Sequence, residues 1–212
     1  MSEPNVRTSR QNLSPLYAIL DDDRARERGR GPLDLARVFF EAGVRLLQVR
    51  AKRLGSGALL VLSRAIVEAA RPYGAQVVIN DRADIAVLAG ADGVHVGQDD
   101  LSPEDVRRVM PTGILGLSTH SRAQFEAALL TPATYLAVGP VFGTLTKDTG
   151  YAAVGLDFVR WAAARSDRPL VAIGGINAGN APDVFEAGAA SVAVISDLLD
   201  DPAERVRRYF NV

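Results

Sequence analysis

Eight short apolar runs alternate with eight longer segments of helical periodicity along the 212 residues. That alternation restricts the fold more than any other feature. The runs are LYAIL (16–20), RLLQVR (45–50), QVVIN (76–80), GVHVG (93–97), ILGLS (114–118), YLAVGPV (135–141), PLVAIGGI (169–176) and SVAVIS (191–196). Most are continuously apolar, the pattern of parallel strands covered on both faces. Between them, PLDLARVFFEAG (32–43) opens with Pro and closes with Gly, as helices prefer. ALLVLSRAIVEAARPYG (58–74) spaces its apolar residues by three and four. SPEDVRRVM (102–110) offers Ser102 as an N-cap, then Pro103 and the first-turn acids Glu104 and Asp105. ADIAVLAG, SRAQFEAALL, LDFVRWAAAR, APDVFEAG and PAERVRRYF are further helix candidates. Together they predict an α/β chain folded as a single (β/α)8 TIM barrel over residues 15–212, after a polar tail, 1–14. An open doubly wound sheet is the alternative. Against it, no G-x-G-x-x-G follows the first run and no P-loop motif occurs.

Composition removes several function classes. The 24 basic and 25 acidic residues nearly cancel, against the basic excess of a nucleic-acid protein. With no cysteine, thiol, disulfide and zinc-finger chemistry are excluded. Two histidines are too few for a multi-histidine metal cage, which leaves carboxylate sites for hard cations. The N-terminus lacks the apolar stretch of a signal peptide, and no run reaches the length of a membrane span. A cytoplasmic protein acting on small molecules is expected, and a homo-oligomer is compatible with the sequence.

A barrel of this kind carries its chemistry in the loops after its strands. Polar groups collect there. The second run ends in Gln48, Arg50 and Lys52, the third in Asn80, Asp81 and Arg82, the fourth in Gln98, Asp99 and Asp100, and the fifth in Ser118, Thr119 and His120. The sixth leads into Thr144, Thr146 and Lys147, and the last two end in GGIN and VIS.

Each cluster has a plain structural alternative. Gln48, Arg50 and Lys52 share one side of an extended segment. On a solvated edge that means nothing, but at a barrel mouth two cations call for an anion. Asp81 and Asp100 either cap the helices that follow them or form a Mg²⁺ site, because Mg²⁺ takes one or two carboxylates with waters and phosphate oxygens. Asp99 is a weaker substitute for Asp100. GGIN is either a tight turn or, with Gly174, Gly175, Ile195 and Ser196, a backbone phosphate site. His95 reads as a packed core histidine, and His120 lies nearer the rim. Two anion poles emerge, one of cations and carboxylates, the other of backbone amides and a hydroxyl. They suit two phosphorylated groups, one a diphosphate with Mg²⁺.

In this order QVRAK, INDRADIAVLAGADGVHVGQDDL, GLSTH, GPVFGTLTK, AIGGIN and VAVIS resemble the thiamine-phosphate synthase family from about Leu16 to Ser196. The resemblance implies a barrel enzyme joining 4-amino-2-methyl-5-hydroxymethylpyrimidine diphosphate to 4-methyl-5-(2-hydroxyethyl)thiazole phosphate or its carboxylated form, with Mg²⁺. It implies that Gln48, Arg50, Lys52 and Asn80 hold the pyrimidine diphosphate and that Asp81 and Asp100 carry the metal. Ser118 would contact the pyrimidine substrate or its diphosphate, Thr144 and Thr146 the thiazole, and Lys147 the diphosphate. Gly175, Ile195 and Ser196 would hold the thiazole phosphate. Arg50, Ser118 and Lys147 are the residues expected to act on the reacting groups. Two departures stand out: Gly143 replaces a common Pro, and Asp197 stands where a small residue is usual. The rival readings are a thiazole tautomerase-like isomerase, which needs no diphosphate site, and a non-catalytic sensor of phosphorylated ligands.

Overall fold

A computed structural model describes residues 13–143 and 151–210. Eight parallel strands close into a barrel in chain order: β1 (Leu16–Asp21), β2 (Leu46–Arg50), β3 (Gln76–Asn80), β4 (Gly93–Val96), β5 (Ile114–Thr119), β6 (Tyr135–Val138), β7 (Leu170–Ile173) and β8 (Ser191–Val194). Around them lie α1 (Asp22–Glu27), α2 (Pro32–Ala42), α3 (Ser56–Ala70), α4 (Ala83–Ala89), α5 (Pro103–Val109), α6 (Arg122–Ala128), α7 (Gly155–Ala163), α8 (Ala181–Glu186) and α9 (Pro202–Arg208).

The continuous apolar runs are explained by burial on both sides. Leu16, Ala18 and Leu20 of β1 belong to the large cluster between strands and helices, while Tyr17 and Ile19 join a smaller one inside the barrel. Successive strand residues point to opposite faces, so every strand except β4, whose alternate positions are Gly93 and His95, feeds both clusters. Phe39 and Phe40 of α2 are fully buried in the outer layer. Cutting either to alanine costs about 3–5 kcal/mol. Inside, Gly116 of β5 leaves the space that Tyr135 and His95 fill, because a Cβ there would lie 2.1 Å from the Tyr135 ring and 2.4 Å from His95 Nδ1.

Three details differ from the sequence expectation. First, α1 is an additional helix. Its DDRARE stretch has no apolar period, and local polar bonds hold it: Asp21 Oδ1 accepts from the Arg24 amide at 3.1 Å, and Arg26 Nε donates to buried Asp22 at 2.9 Å. Second, β6 stops at Val138 and β7 at Ile173, short of 141 and 176. Pro140 has no amide to continue a ladder, and the chain after β7 turns at Gly174 and Gly175, both at positive φ. Third, α3 gives way to a 3-10 turn at Arg71–Tyr73 around Pro72. Among the described residues no helix is long and apolar enough to cross a membrane.

Candidate active site

Parallel register brings chemically active side chains to one mouth. Asp21 of β1 pairs in register with Arg50 of β2. Its carboxylate accepts from the Arg50 guanidinium, and both side chains are largely buried. Two residues further on, Lys52 Nζ lies 3.1 Å from Asp81 Oδ2 at the end of β3. The two cations of QVRAK therefore stand against two carboxylates, one of which, Asp21, the sequence reading did not single out.

Neither Asp81 nor Asp100 caps a helix. The N-cap of α4 is Arg82, with no capping side chain, and that of α5 is Ser102, whose Oγ accepts from the Asp105 amide at 3.1 Å. Asp81 instead adopts a left-handed backbone at φ 63 and donates its amide to the His95 carbonyl at 2.8 Å. Such a conformation costs a non-glycine residue about 1–2 kcal/mol, less for Asp. Asp100 Oδ2 accepts from the Gly97 amide at 2.7 Å. Burial raises the Asp81 carboxyl above its ordinary range, the Asp100 carboxyl beside it adds to that, and Lys52 opposes it. Two acids held side by side against repulsion suit a cation between them. Among the described residues no cluster of three or more acidic or histidine groups occurs. A pair of carboxylates completed by waters and phosphate oxygens is the donor set Mg²⁺ takes, so these residues fit that ion. Asp99 is exposed and lines neither cavity of the mouth.

Two cavities adjoin there. One, about 80 Å³, is walled by Tyr17, Gln48, Arg50, Lys52, Asn80, Asp81, His95 and Asp100. The other, about 390 Å³, is walled by Arg28, His120, Gly174, Gly175, Ser196, Asp197 and Asp200. Both touch Ser118, Ile173, Ala193 and Ile195. The expected residues Gln48, Arg50, Lys52, Asn80, Asp81, Asp100, Ser118, Gly175, Ile195 and Ser196 thus gather around one continuous space. Thr144, Thr146 and Lys147 lie outside the described residues.

Local bonds shape the second cavity. A Cβ on Gly175, at φ +65, would lie 2.7 Å from the Gly143 carbonyl oxygen, and the Gly175 carbonyl accepts from Asn180 Nδ2 at 3.0 Å. Close approach of the loop after β6 therefore already requires this glycine. Asp197 lines the cavity with its carboxylate already paired: Oδ1 accepts from Arg205 at 3.0 Å and Oδ2 from the Tyr209 hydroxyl at 2.8 Å. Its acid thus leaves the phosphate reading of the neighbouring Ser196 intact. Arg28 and Asp200 form an ion pair at the rim. His120 Nδ1 bonds the Gly139 carbonyl at 2.6 Å, and its ring stacks on Tyr151 at 4.2 Å.

His95 is more than a packed core histidine. Its Nδ1 is 2.6 Å from the Tyr135 hydroxyl and its Nε2 is 2.8 Å from Ser118 Oγ. Tyr135 donates to Tyr17 at 3.1 Å, and Gln48 Nε2 donates to Tyr17 at 2.9 Å. Burial raises both phenols well above their usual range, so both stay neutral. Sequence reading missed Asp21, Arg28, Tyr17 and Tyr135. For Asp21 and Tyr17 the signal was available, since each lies an even number of places from inward Ile19.

The family model described as thiamine monophosphate synthase matches residues 16–198. A thiamine-phosphate synthase of Koribacter versatilis is 43% identical, covering 94% of this chain and 96% of its own. One from Thermus thermophilus is 45% identical, covering 83% of this chain and 85% of its own. The solved thiamine phosphate pyrophosphorylase of Pyrococcus furiosus superposes with a TM-score of 0.86 at 29% identity, covering 94% of this chain and 95% of that one. The chain belongs to the thiamine monophosphate synthase family, and with it to the transferases that make thiamine phosphate.

Proposed function

We propose that this chain, one barrel domain over residues 15–212, joins 4-amino-2-methyl-5-hydroxymethylpyrimidine diphosphate to 4-methyl-5-(2-hydroxyethyl)thiazole phosphate, giving thiamine phosphate and diphosphate. The observation that carries this reading is the pair of cavities meeting at Ser118, one walled by Arg50, Lys52, Asp81 and Asp100, the other by the backbone around Gly174, Gly175 and Ile195 and the Ser196 hydroxyl, with Arg28, His120, Asp197 and Asp200 around them. Two phosphorylated partners placed there meet at the junction. An isomerase acting on the thiazole alone would have no use for the charged wall of Arg50, Lys52, Asp81 and Asp100.

In this reading the carbon–oxygen bond of the pyrimidine methylene breaks, and its electron pair leaves with diphosphate. The aminopyrimidine ring stabilises the methylene cation, and the thiazole nitrogen lone pair forms the new carbon–nitrogen bond. Arg50, Lys52 and Lys147 bind the departing diphosphate, whose charge grows along the reaction. Gln48, Asn80 and Ser118 orient the pyrimidine, Thr144 and Thr146 the thiazole, and Gly175, Ile195 and Ser196 its phosphate. Asp81 and Asp100 would hold Mg²⁺, which when bound neutralises leaving-group charge. No side chain acts as a nucleophile, so the protein's contribution is placement and charge. The test is to incubate both substrates with the full chain, with and without Mg²⁺, and to measure thiamine phosphate and diphosphate. Equal amounts of both products, dependent on Mg²⁺, are expected. A folded chain that makes neither would overturn the assignment.

A further inference from the structure

One ion pair spans the rim of the second cavity at the seam where the barrel closes. Arg28 follows α1 in the loop after β1, Asp200 precedes α9 in the loop after β8, and β1 and β8 are paired strands. Both residues line the cavity that also holds Gly175, Ile195 and Ser196. Among the described residues, Arg28 is the one lysine or arginine in that lining. Of the two acids there, Asp197 already accepts from Arg205 and from the Tyr209 hydroxyl. The other, Asp200, accepts from Arg28.

The backbone is anchored at both ends of this pair, while the side chains stand in water. The amides of Arg28 and Arg30 both donate to the carbonyl of fully buried Ala25, at 3.1 and 3.0 Å. Asp200 follows buried Leu199 and lies two places before buried Pro202. The Arg28 and Asp200 side chains are 47% and 64% exposed. An ion pair so open to water changes an equilibrium constant by about fivefold at most. A guanidinium carries five donors in a planar fork, and a phosphate oxygen pair fits that fork as well as a carboxylate does, with more charge. Exchange of Asp200 for a phosphate therefore needs only side-chain rotation and costs little.

We propose that Arg28 is a specificity-determining residue that leaves Asp200 for the phosphate of the thiazole substrate, so that Asp200 competes with the ligand for one cation. This rests on the synthase reading and deepens it. Backbone amides and the Ser196 hydroxyl supply dipoles, and Arg28 supplies the full positive charge that separates a phosphate ester from its free alcohol. Asp200 holds the guanidinium at the rim until the phosphate arrives. The two partners of one ion pair thus have opposite effects on affinity.

The test is calorimetric titration of the full chain with 4-methyl-5-(2-hydroxyethyl)thiazole phosphate, and separately with the unphosphorylated alcohol. Arg28→Gln should weaken binding of the phosphate about tenfold, the loss of a hydrogen bond to a charged group. Affinity for the alcohol should stay within about twofold. Asp200→Asn should tighten binding of the phosphate about threefold. In an Arg28→Gln background that gain should vanish, because the two residues act through one contact. The same ratios should appear in KM for the thiazole phosphate, and melting curves check that each variant is folded. A pair that merely ties two loops together predicts losses from both variants, toward both ligands, and that pattern would overturn the proposal. So would a gain from Asp200→Asn that persisted without Arg28, since plain repulsion would then explain it. A chain that bound the phosphate through Arg28 but made no thiamine phosphate would overturn the synthase reading alone. A working synthase whose affinity ignored Arg28→Gln would overturn this inference alone.

Discussion

The two sides of the barrel mouth solve anion binding in opposite ways. On the β1–β4 side, side chains do the work: Arg50 against Asp21, Lys52 against Asp81, and Asp100 tied to the Gly97 amide. On the β7–β8 side the backbone around Gly174, Gly175 and Ile195 and the Ser196 hydroxyl form one part of the wall, beside Arg28, His120, Asp197 and Asp200. The acids of that wall are each paired with a cation, Asp197 with Arg205 and Asp200 with Arg28 at the rim. A side-chain wall can be retuned by bound ions and by protonation. A backbone wall offers fixed dipoles and resists change. The first suits a group whose charge grows and departs, the second a phosphate that only has to stay.

The largest expected effect attacks the first wall. Asp81→Ala and Asp100→Ala should each lower kcat by on the order of a hundredfold or more, comparable with losing a principal electrostatic group in other sites. Each should also flatten the dependence on Mg²⁺ concentration. Rates at limiting Mg²⁺ that matched the unaltered protein would erase the functional difference between the two walls.

Next, Ser196→Asp places like charge at the second wall. KM for the thiazole phosphate should rise by about tenfold, equivalent to about 1.4 kcal/mol. KM for the pyrimidine diphosphate should stay within about twofold. Titration of initial rates against each substrate separates these outcomes, and parallel increases would merge the walls into one site.

Asp21→Asn sharpens the comparison from within the first wall. Asparagine is as good an N-cap as aspartate, so α1 should keep its start and thermal stability should hardly change. The charge that holds Arg50 disappears, and kcat for the pyrimidine diphosphate should fall about fivefold. In an Arg50→Ala background the same substitution should have little further effect, because contacting residues do not act additively. Strict additivity would reduce Asp21 to a helix cap.

How much of this was legible in the sequence follows from which interactions are local. The eight strands could be read because each is buried on both faces and writes a continuous apolar run. Asp81 and Asp100 could be noticed as acids after strands, but the choice between cap and cation site depends on the φ of Asp81 and on the Gly97 amide, which no spacing encodes. Helix α1 escaped because its order comes from ion pairs and a cap, without an apolar stripe. Tyr17 and Tyr135 lay within runs that read as core, and their hydroxyls meet across 118 positions of sequence. Only barrel closure makes them neighbours.

The smallest expected effect tests why the first wall is poised as it is, and its sign opposes the kinetic one. Asp81 is harder to ionise in the folded chain than in the unfolded chain, through burial first and the neighbouring Asp100 second. Between the unfolded and the raised folded pKa, the folded state binds more protons, so stability falls as pH rises through that window. Above it the full penalty remains, and below the ordinary carboxylate pKa it is gone. Asp100→Asn removes the repelling charge and keeps an oxygen for the Gly97 amide. In metal-free protein near pH 8 this variant should therefore melt higher, by about 2 °C for a chain of this size. Near pH 4 the gain should shrink toward nothing. Added Mg²⁺ should reverse the ranking, because a cation between the carboxylates stabilises the unaltered protein and has one ligand fewer in the variant. Melting curves at two pH values, with and without Mg²⁺, give the four numbers needed. A variant that melted lower than the unaltered protein without metal at pH 8 would show that the two acids are not held against their own repulsion.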